Sequence, residues 1–473
     1  MSPSSTPPMF FAFRSSKPFI IASVSIAIFT DTFLYGVVVP IFPFALKERA
    51  GIHPDKSKAT GIFNFYGAFL FVGAPLCGYM ADRAASRRRI FLVGLLLLTG
   101  GSVMLYVGKH IGLLLAARAL QGLSAGFVWA YGLALLVDTV GSDGIGQAIG
   151  YAGMGTNLGV LVSPLLGGIV FNKRGYYAVF GMIFGLIALD IILRIAIIEP
   201  RSAARSAKSR ETQAANDIED LREKQNSNFH HPRPKPSAPG KRKLPPVLTL
   251  LTSRRFVVAI IASFVQSTLT ASFDAVLPMY VHKTFGWDSI GSGLIFLPIA
   301  LPCLFGPIAG WIADRYGSRW PATVAFLLAC PWYVCLRFVT CNSLSQKVIL
   351  CIILGGAGVC LNLALAPVMA EIAYVIEFME KKSPGIFGSS GAYAQAYGLS
   401  CLSFAGGGVV GSIWAGMVND KAGWGTMTWS LGLLSAVTAV PVVLFLGGKL
   451  RRGSDSKGAE ICHQEAIPEN KSS

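Results

Sequence analysis

Twelve stretches of about 20 mostly apolar residues punctuate this chain, more apolar surface than one aqueous core can enclose. They begin near Pro18, Ala59, Ile90, Ile111, Ile145 and Tyr176, and again near Phe256, Ser289, Pro321, Val348, Ser390 and Thr426. Lipid offers peptide groups no hydrogen-bond partners, so a run of this length crosses a bilayer as helix, satisfying its own backbone. Only 14% of the residues are charged, against about 25% in an ordinary soluble domain. The first run is too long for a signal h-region and lacks a small-residue cleavage site. The expectation is an all-α membrane protein of twelve transmembrane helices in two six-helix halves.

A polar stretch separates the halves. The divisions expected are a tail over 1–17, a half over 18–200, a linker over 201–250, a half over 251–450 and a tail over 451–473. The linker is rich in Pro, Ser, Lys and Glu and cannot bury enough apolar surface to fold. It reads as a disordered tether, with a regulatory or lipid-binding segment as the alternative. The net charge of +17 sits mainly between the apolar runs, at Arg83, Arg87, Arg88, Arg89, across the linker and in the C-terminal tail. That placement suits anionic headgroups rather than nucleic acid, and the lysine and arginine bias puts both termini and the linker in the cytosol. The tail sequence Asn470-Lys471-Ser472 fits a glycosylation acceptor but falls on that cytosolic side. Nine cysteines lie mostly inside apolar runs, with no CxxC spacing, and six histidines lie in loops or tails. Grouped metal ligands or nucleophiles of an enzyme are lacking, as is a GxxxxGK[ST] loop for ATP.

One element recurs. Gly78-Tyr-Met-Ala-Asp82-Arg83 returns as Gly310-Trp-Ile-Ala-Asp314-Arg315, each just after the second span of its half. An aspartate at a helix end can hold an opposing cation or helix N-terminus in one conformation and release it in another. A topogenic charge cluster is the plainer reading, and the double occurrence disfavours it. The fourth span contains Arg118-Ala-Leu-Gln121-Gly122. The fifth contains Gly150-x8-Gly159-x3-Ser163-Pro164-x2-Gly167-Gly168. Gly155, Gly159, Ser163 and Gly167 fall four apart, on one face that another helix can approach closely.

With these motifs the chain resembles the major facilitator superfamily over nearly its whole length. Its loop motif is GxLADRxGRK; the first copy here departs at Ala85, Ser86 and Arg87, and the second keeps Gly317 before Ser318-Arg319. The fourth span matches the family's RxxQG. The fifth matches its antiporter pattern Gx8Gx3GPx2GG, with Ser163 for a glycine. Asp31-Thr-Phe-Leu-Tyr35, followed by Pro40, resembles the vesicular monoamine transporters, as does Phe273-Asp274-Ala-Val-Leu-Pro278, with aspartate for glutamate. Acidic positions of those carriers in spans ten and eleven are Asn362 and Tyr397 here, a departure that argues against monoamine specificity. Asp190-Ile-Ile-Leu-Arg194 and Gly391 to Gly398 look like fungal relatives, many of which export secondary metabolites.

The resemblance implies a secondary active transporter, not an enzyme, that exchanges protons for hydrophobic or cationic small molecules such as drugs or metabolites. It implies no cofactor beyond the proton gradient, no nucleic acid partner and function as a monomer in the plasma membrane, with a vacuolar or vesicular membrane as the alternative. A proton-independent facilitator or nutrient importer is the rival, although the sugar-porter PESPR is replaced after span six by Glu199-Pro200-Arg201.

Charge at bilayer depth is costly and needs a reason. Asp31 lies about 20 Å along its helix, near the midplane where carriers hold substrate. It reads as a site for a proton or a cationic substrate, which then compete; satisfaction by helix ends or hydroxyls is the alternative. Asp274 lies about 27 Å along its span and forms a polar stripe with Gln266 and Thr270. Arg118, about 12 Å deep, either polarises a carboxylate or passes protons indirectly by shifting its pKa; a fixed hydrogen bond to backbone or to Gln121 is the alternative. Asp190 and Arg194 are expected to pair with each other. Glu371 and Glu377 in span ten face a side the sequence leaves open. Tyr35, Trp129, Tyr393 and Tyr397 offer aromatic surface to a cation, or simple packing. The substrate and proton candidates are therefore Asp31, Asp274, Arg118, Gln121, Tyr35, Asn362 and Tyr397.

Overall fold

Helix is the conformation that lets an apolar run satisfy its own peptide groups in lipid, and every regular element among the described residues is helical. The computed structural model describes residues 11–38, 56–83, 87–141, 144–197, 245–287, 289–387 and 391–447.

The first half contains α1 (Lys17–Val38), α2 (Lys56–Arg83), α3 (Arg87–Val107) and α4 (Ile111–Val140). The long helix Ile145–Ala196 breaks at Gly175, whose φ of 75° is left-handed, giving α5 (145–174) and α6 (176–196). The second half contains α7 (Arg254–Phe285), α8 (Leu297–Tyr316), α9 (Arg319–Phe338) and α10 (Leu344–Lys382). Tyr393–Phe445 breaks the same way at Gly423, φ 81°, giving α11 (393–422) and α12 (424–445). Eight of the described helices are long and apolar enough to cross a membrane, two of them being the merged pairs. With α2 and α3 the twelve expected spans are present.

Three details add to the expected layout. The run beginning near Ser289 is not one straight helix. Pro298, Pro302 and Pro307 remove backbone donors, and Leu301–Phe305 is wound as 3-10 helix. The range expected as disordered linker, 201–250, ends in a helix, Pro246–Leu251, because Thr249 and Leu250 bury themselves against the bundle. The tail expected over 1–17 carries a helical turn, Phe11–Arg14, and Arg14 Nε donates to Ala196 O at 2.7 Å. Residues 201–244 and 448–473 lie outside the described residues.

Helices in lipid gain little from hiding apolar side chains, so they associate by close packing of small residues. α1 packs along α5, where a Cβ on Gly155 would meet Ser25 O at 2.6 Å and one on Gly167 would meet Val37 O at 3.0 Å. The corresponding pair in the second half is α7 with α11. Thr268 Oγ1 donates to Gly407 O at 3.1 Å, and Ser272 Oγ donates to Gly411 O at 3.2 Å. Between the halves, α2 meets α11 and α5 meets α8. Those contacts concentrate at the face where α6 ends and α7 begins, called here the linker face.

Candidate functional site

Two aspartates close the linker face. The Asp82 carboxylate at the end of α2 accepts from Ala394 N at 3.1 Å, Gln395 N at 2.9 Å and Gln395 Nε2 at 3.1 Å. Asp314 at the end of α8 accepts from Gly146 N at 2.7 Å, Gln147 N at 2.9 Å and the Tyr374 hydroxyl at 2.8 Å. Each caps the first turn of a helix in the opposite half, where unpaired N–H groups and the helix dipole favour an anion. The glycine of each motif makes the approach possible: a Cβ on Gly78 would collide with the Ala394 carbonyl, and one on Gly310 with the Gly146 carbonyl. Arg83 and Arg315 do not join the latches. Arg83 lies over the Tyr79 ring at 4.2 Å and Arg315 over Trp311 at 5.3 Å, each on its own helix.

The fifth-span motif divides between two neighbours. Gly159 and Gly167 face α1, and the side chain of Ser163 lies against Gly36. Gly150 instead faces the other half, where a Cβ would run into Gly306 and Pro307. Gly168 has nothing within 4 Å of its Cβ position among the described residues. Pro164 sits inside the helix, one residue beyond the contact with Gly36.

Deeper in the bundle is a polar group built from four helices. Asp31 of α1 is buried. Its Oδ2 accepts from the Tyr66 hydroxyl of α2 at 3.4 Å, and its Oδ1 has no hydrogen-bond partner among the described residues. The Tyr35 and Tyr66 rings lie 4.6 Å apart. Arg118 of α4, fully buried, donates from Nη1 to Gln121 Oε1 at 3.0 Å, and Gln121 Nε2 donates to Ser102 Oγ of α3 at 3.3 Å. Tyr35 lies within electrostatic reach of both Arg118 and Asp274 of α7. Asp274 is accessible, Thr270 half-buried and Gln266 buried, so the expected stripe grades from open to closed along α7.

Two other candidates sit elsewhere. Tyr397 is fully buried and its hydroxyl donates to Met369 O at 3.3 Å, inside the closed layer of the linker face. Asn362 of α10 faces the first half, where its Oδ1 accepts from Asn157 Nδ2 of α5 at 3.2 Å. Trp129 and Tyr393 are half-buried packing residues against the same core. The Asp190–Arg194 pair forms as expected, with Nε to Oδ1 at 2.9 Å and Nη2 to Oδ2 at 2.6 Å, and Arg194 also donates to Phe91 O at 3.0 Å. Glu371 is buried and accepts from Arg255 Nε at 2.8 Å and Gly447 N at 3.0 Å, stapling α7, α10 and the end of α12. Glu377 pairs with Lys381 at 2.7 Å near the surface. No metal-ligating cluster occurs among the described residues.

Tyr66 and Asn157 were missed from sequence. Asn157 carried a usable signal, a lone carboxamide within an apolar run; Tyr66 carried none, because tyrosines are common in such runs.

A family model described as Major Facilitator Superfamily matches residues 24–376. The chain is 33% identical over 425 residues to an uncharacterized MFS-type transporter, C18.02, of Schizosaccharomyces pombe, covering 89% of this chain and 94% of that one. It is 23% identical to a probable vesicular acetylcholine transporter-B of Danio rerio, covering 90% of this chain and 79% of the relative. Among solved structures, the human organic anion transporter MFSD10 (TETRAN) matches with a TM-score of 0.62 at 18% identity, covering 92% of this chain and all of that one.

Proposed function

The chain belongs to the Major Facilitator Superfamily, and from that premise we propose that this multi-pass secondary transporter exchanges protons for hydrophobic or cationic small molecules, moving them out across the plasma membrane. The observation that carries the reading is Asp31: a buried carboxylate with one oxygen held by Tyr66 and the other unpartnered among the described residues, beside a pair of tyrosine rings. A carboxylate in that setting takes either a proton or an organic cation, and the two exclude each other. The rings of Tyr35 and Tyr66 offer faces to the cation. The Danio rerio relative is named for acetylcholine, a cation, which supports the substrate class proposed here.

In this reading the linker face and both termini are cytosolic, and the protein works as a monomer. The two aspartate latches hold the cytosolic side shut while the accessible Asp274 marks the outward side. Protonation of Asp31 from outside releases the cargo. Opening of the latches then exposes Asp31 to the cytosol, where the proton leaves and fresh cargo binds.

The test is the purified full chain in liposomes with an imposed pH gradient, following lipophilic amines and neutral aromatics. Gradient-driven movement that disappears in Asp31→Asn is the expected result. Transport that ignores the gradient and survives the substitution would leave a facilitator in which Asp31 is structural.

A further inference from the structure

Below Asp31 the bundle is crossed by three carboxamides. Asn157 lies 12 residues past the start of α5, about 18 Å along it, close to the depth of Asp31. Its neighbours fix which way it points: Gly155 and Gly159 face α1, whereas a Cβ on Gly153 would touch Leu365 of α10. Asn157 therefore looks across to the other half, and its Nδ2 donates to Asn362 Oδ1 at 3.2 Å. Each amide is also tied to its own helix, Asn157 Nδ2 to Gly153 O and Asn362 Nδ2 to Gly358 O, both at 2.9 Å. Beside them Gln266 of α7 donates from Nε2 to the carbonyl of Leu361, the residue preceding Asn362, at 3.1 Å. Gln266 is 5% exposed and its Oε1 has no partner among the described residues.

A buried carbonyl left without a donor loses its hydration and gains nothing in return. Asn157 Oδ1 and the second Nδ2 hydrogen of Asn362 are likewise unspent among the described residues, and both side chains are half-exposed. The two asparagines thus present an acceptor and a donor, both neutral and drawn from both halves, and Gln266 adds a buried acceptor without a described partner. We propose that Asn157, Asn362 and Gln266 form a carboxamide subsite that takes a hydroxyl or carbonyl group of the transported molecule, and that the Asn157–Asn362 bridge is the contact such a group competes with. Occupation then loosens α5 from α10 just above the Asp314 latch, so cargo recognition reaches the linker face without any change of charge. The subsite presupposes transport of a small molecule, as in the proposed function, but not proton coupling or a cationic cargo.

Equilibrium binding to the purified full chain, with no gradient, tests it using two matched pairs of probes: phenethylamine against tyramine, and indole against 5-hydroxyindole. The wild type is expected to prefer the hydroxylated member of at least one pair. Asn157→Ala and Gln266→Leu should each weaken that member roughly fivefold to tenfold, the worth of one hydrogen bond, and leave its partner within about twofold. No hydroxyl preference in the wild type, or equal losses for both members, overturns the subsite. Binding of the indole pair alone would sink the cation reading and leave the subsite standing. Hydrogen exchange supplies a readout that needs no ligand: amides of residues 145–150 should exchange several-fold faster in Asn157→Ala. Unchanged exchange there overturns the bridge as a tie between the halves.

Discussion

A carboxylate at mid-membrane depth with one hydrogen bond at 3.4 Å is under-satisfied, and that makes Asp31 sensitive to its single described partner. Tyr66→Phe keeps the ring that lies tilted against Tyr35 and removes only the donor. The expected result is a half-saturating amine concentration altered by about threefold to tenfold with the maximal rate held within a factor of about two, read in liposome uptake. The Asp190–Arg194 pair behaves differently because it is closed. Arg194 spends three donors on Asp190 and Phe91 O and lies 4.0 Å over the Phe91 ring. Arg194→Leu strands a buried carboxylate, at a cost of about 3–5 kcal/mol. Its melting temperature should fall well below that of the Asp190→Asn/Arg194→Leu double variant; equal melting of the two would mean the pair is not coupled. These charges were legible in the sequence because a charge in an apolar run stands out. Their partners were less so: Asp31 and Tyr66 are 35 positions apart, Asn157 and Asn362 are 205 apart, and nothing local in the chain announces either meeting.

At the scale of the helix, the legible feature was spacing, and the structure adds which neighbour each small residue serves. Gly155, Gly159, Ser163 and Gly167, four residues apart, share one contact face, here against α1. Gly150 and Gly168 belong to the same motif but not to that face; one touches the other half and the other touches nothing among the described residues. α8 was the helix read least well, because three prolines break a run whose hydropathy alone looks continuous. A graded series of substitutions follows. Gly310→Ala and Gly150→Ala place a methyl group into opposing backbone and should wedge the linker face open, each at a cost of about 1–3 kcal/mol. Gly168→Ala, with open space around it among the described residues, should leave transport and melting unchanged. Trypsin cleavage at Arg83 and Arg315, both exposed at this face, reads the wedge. Equal cleavage of Gly310→Ala and Gly168→Ala would show that the glycines are not spacers for the closed face.

At the scale of the whole molecule, the repeat in the sequence becomes a repeat in the mechanics. Asp82 and Asp314 stand at equivalent places, cap helices of opposite halves, and draw on different third donors, Gln395 Nε2 for one and the Tyr374 hydroxyl for the other. Two latches in parallel make the closed conformation a sum. Asp82→Asn or Asp314→Asn keeps the shape but exchanges a charged acceptor for a neutral one, removing about 1 kcal/mol of preference in each case. Either alone shifts the conformational ratio about fivefold, which a strongly closed protein can absorb. Both together shift it about thirtyfold, enough to bring the alternative conformation into view. Spin labels at Lys173 and Lys421, exposed residues beside the two left-handed glycines on the face opposite the linker, report the change. When the linker face opens, those turns approach each other, so a shorter distance should emerge weakly in each single variant and strongly in the double. A double variant whose distance distribution matches the wild type would mean that the closed face is held by glycine packing between the halves, with the aspartates contributing nothing to the balance.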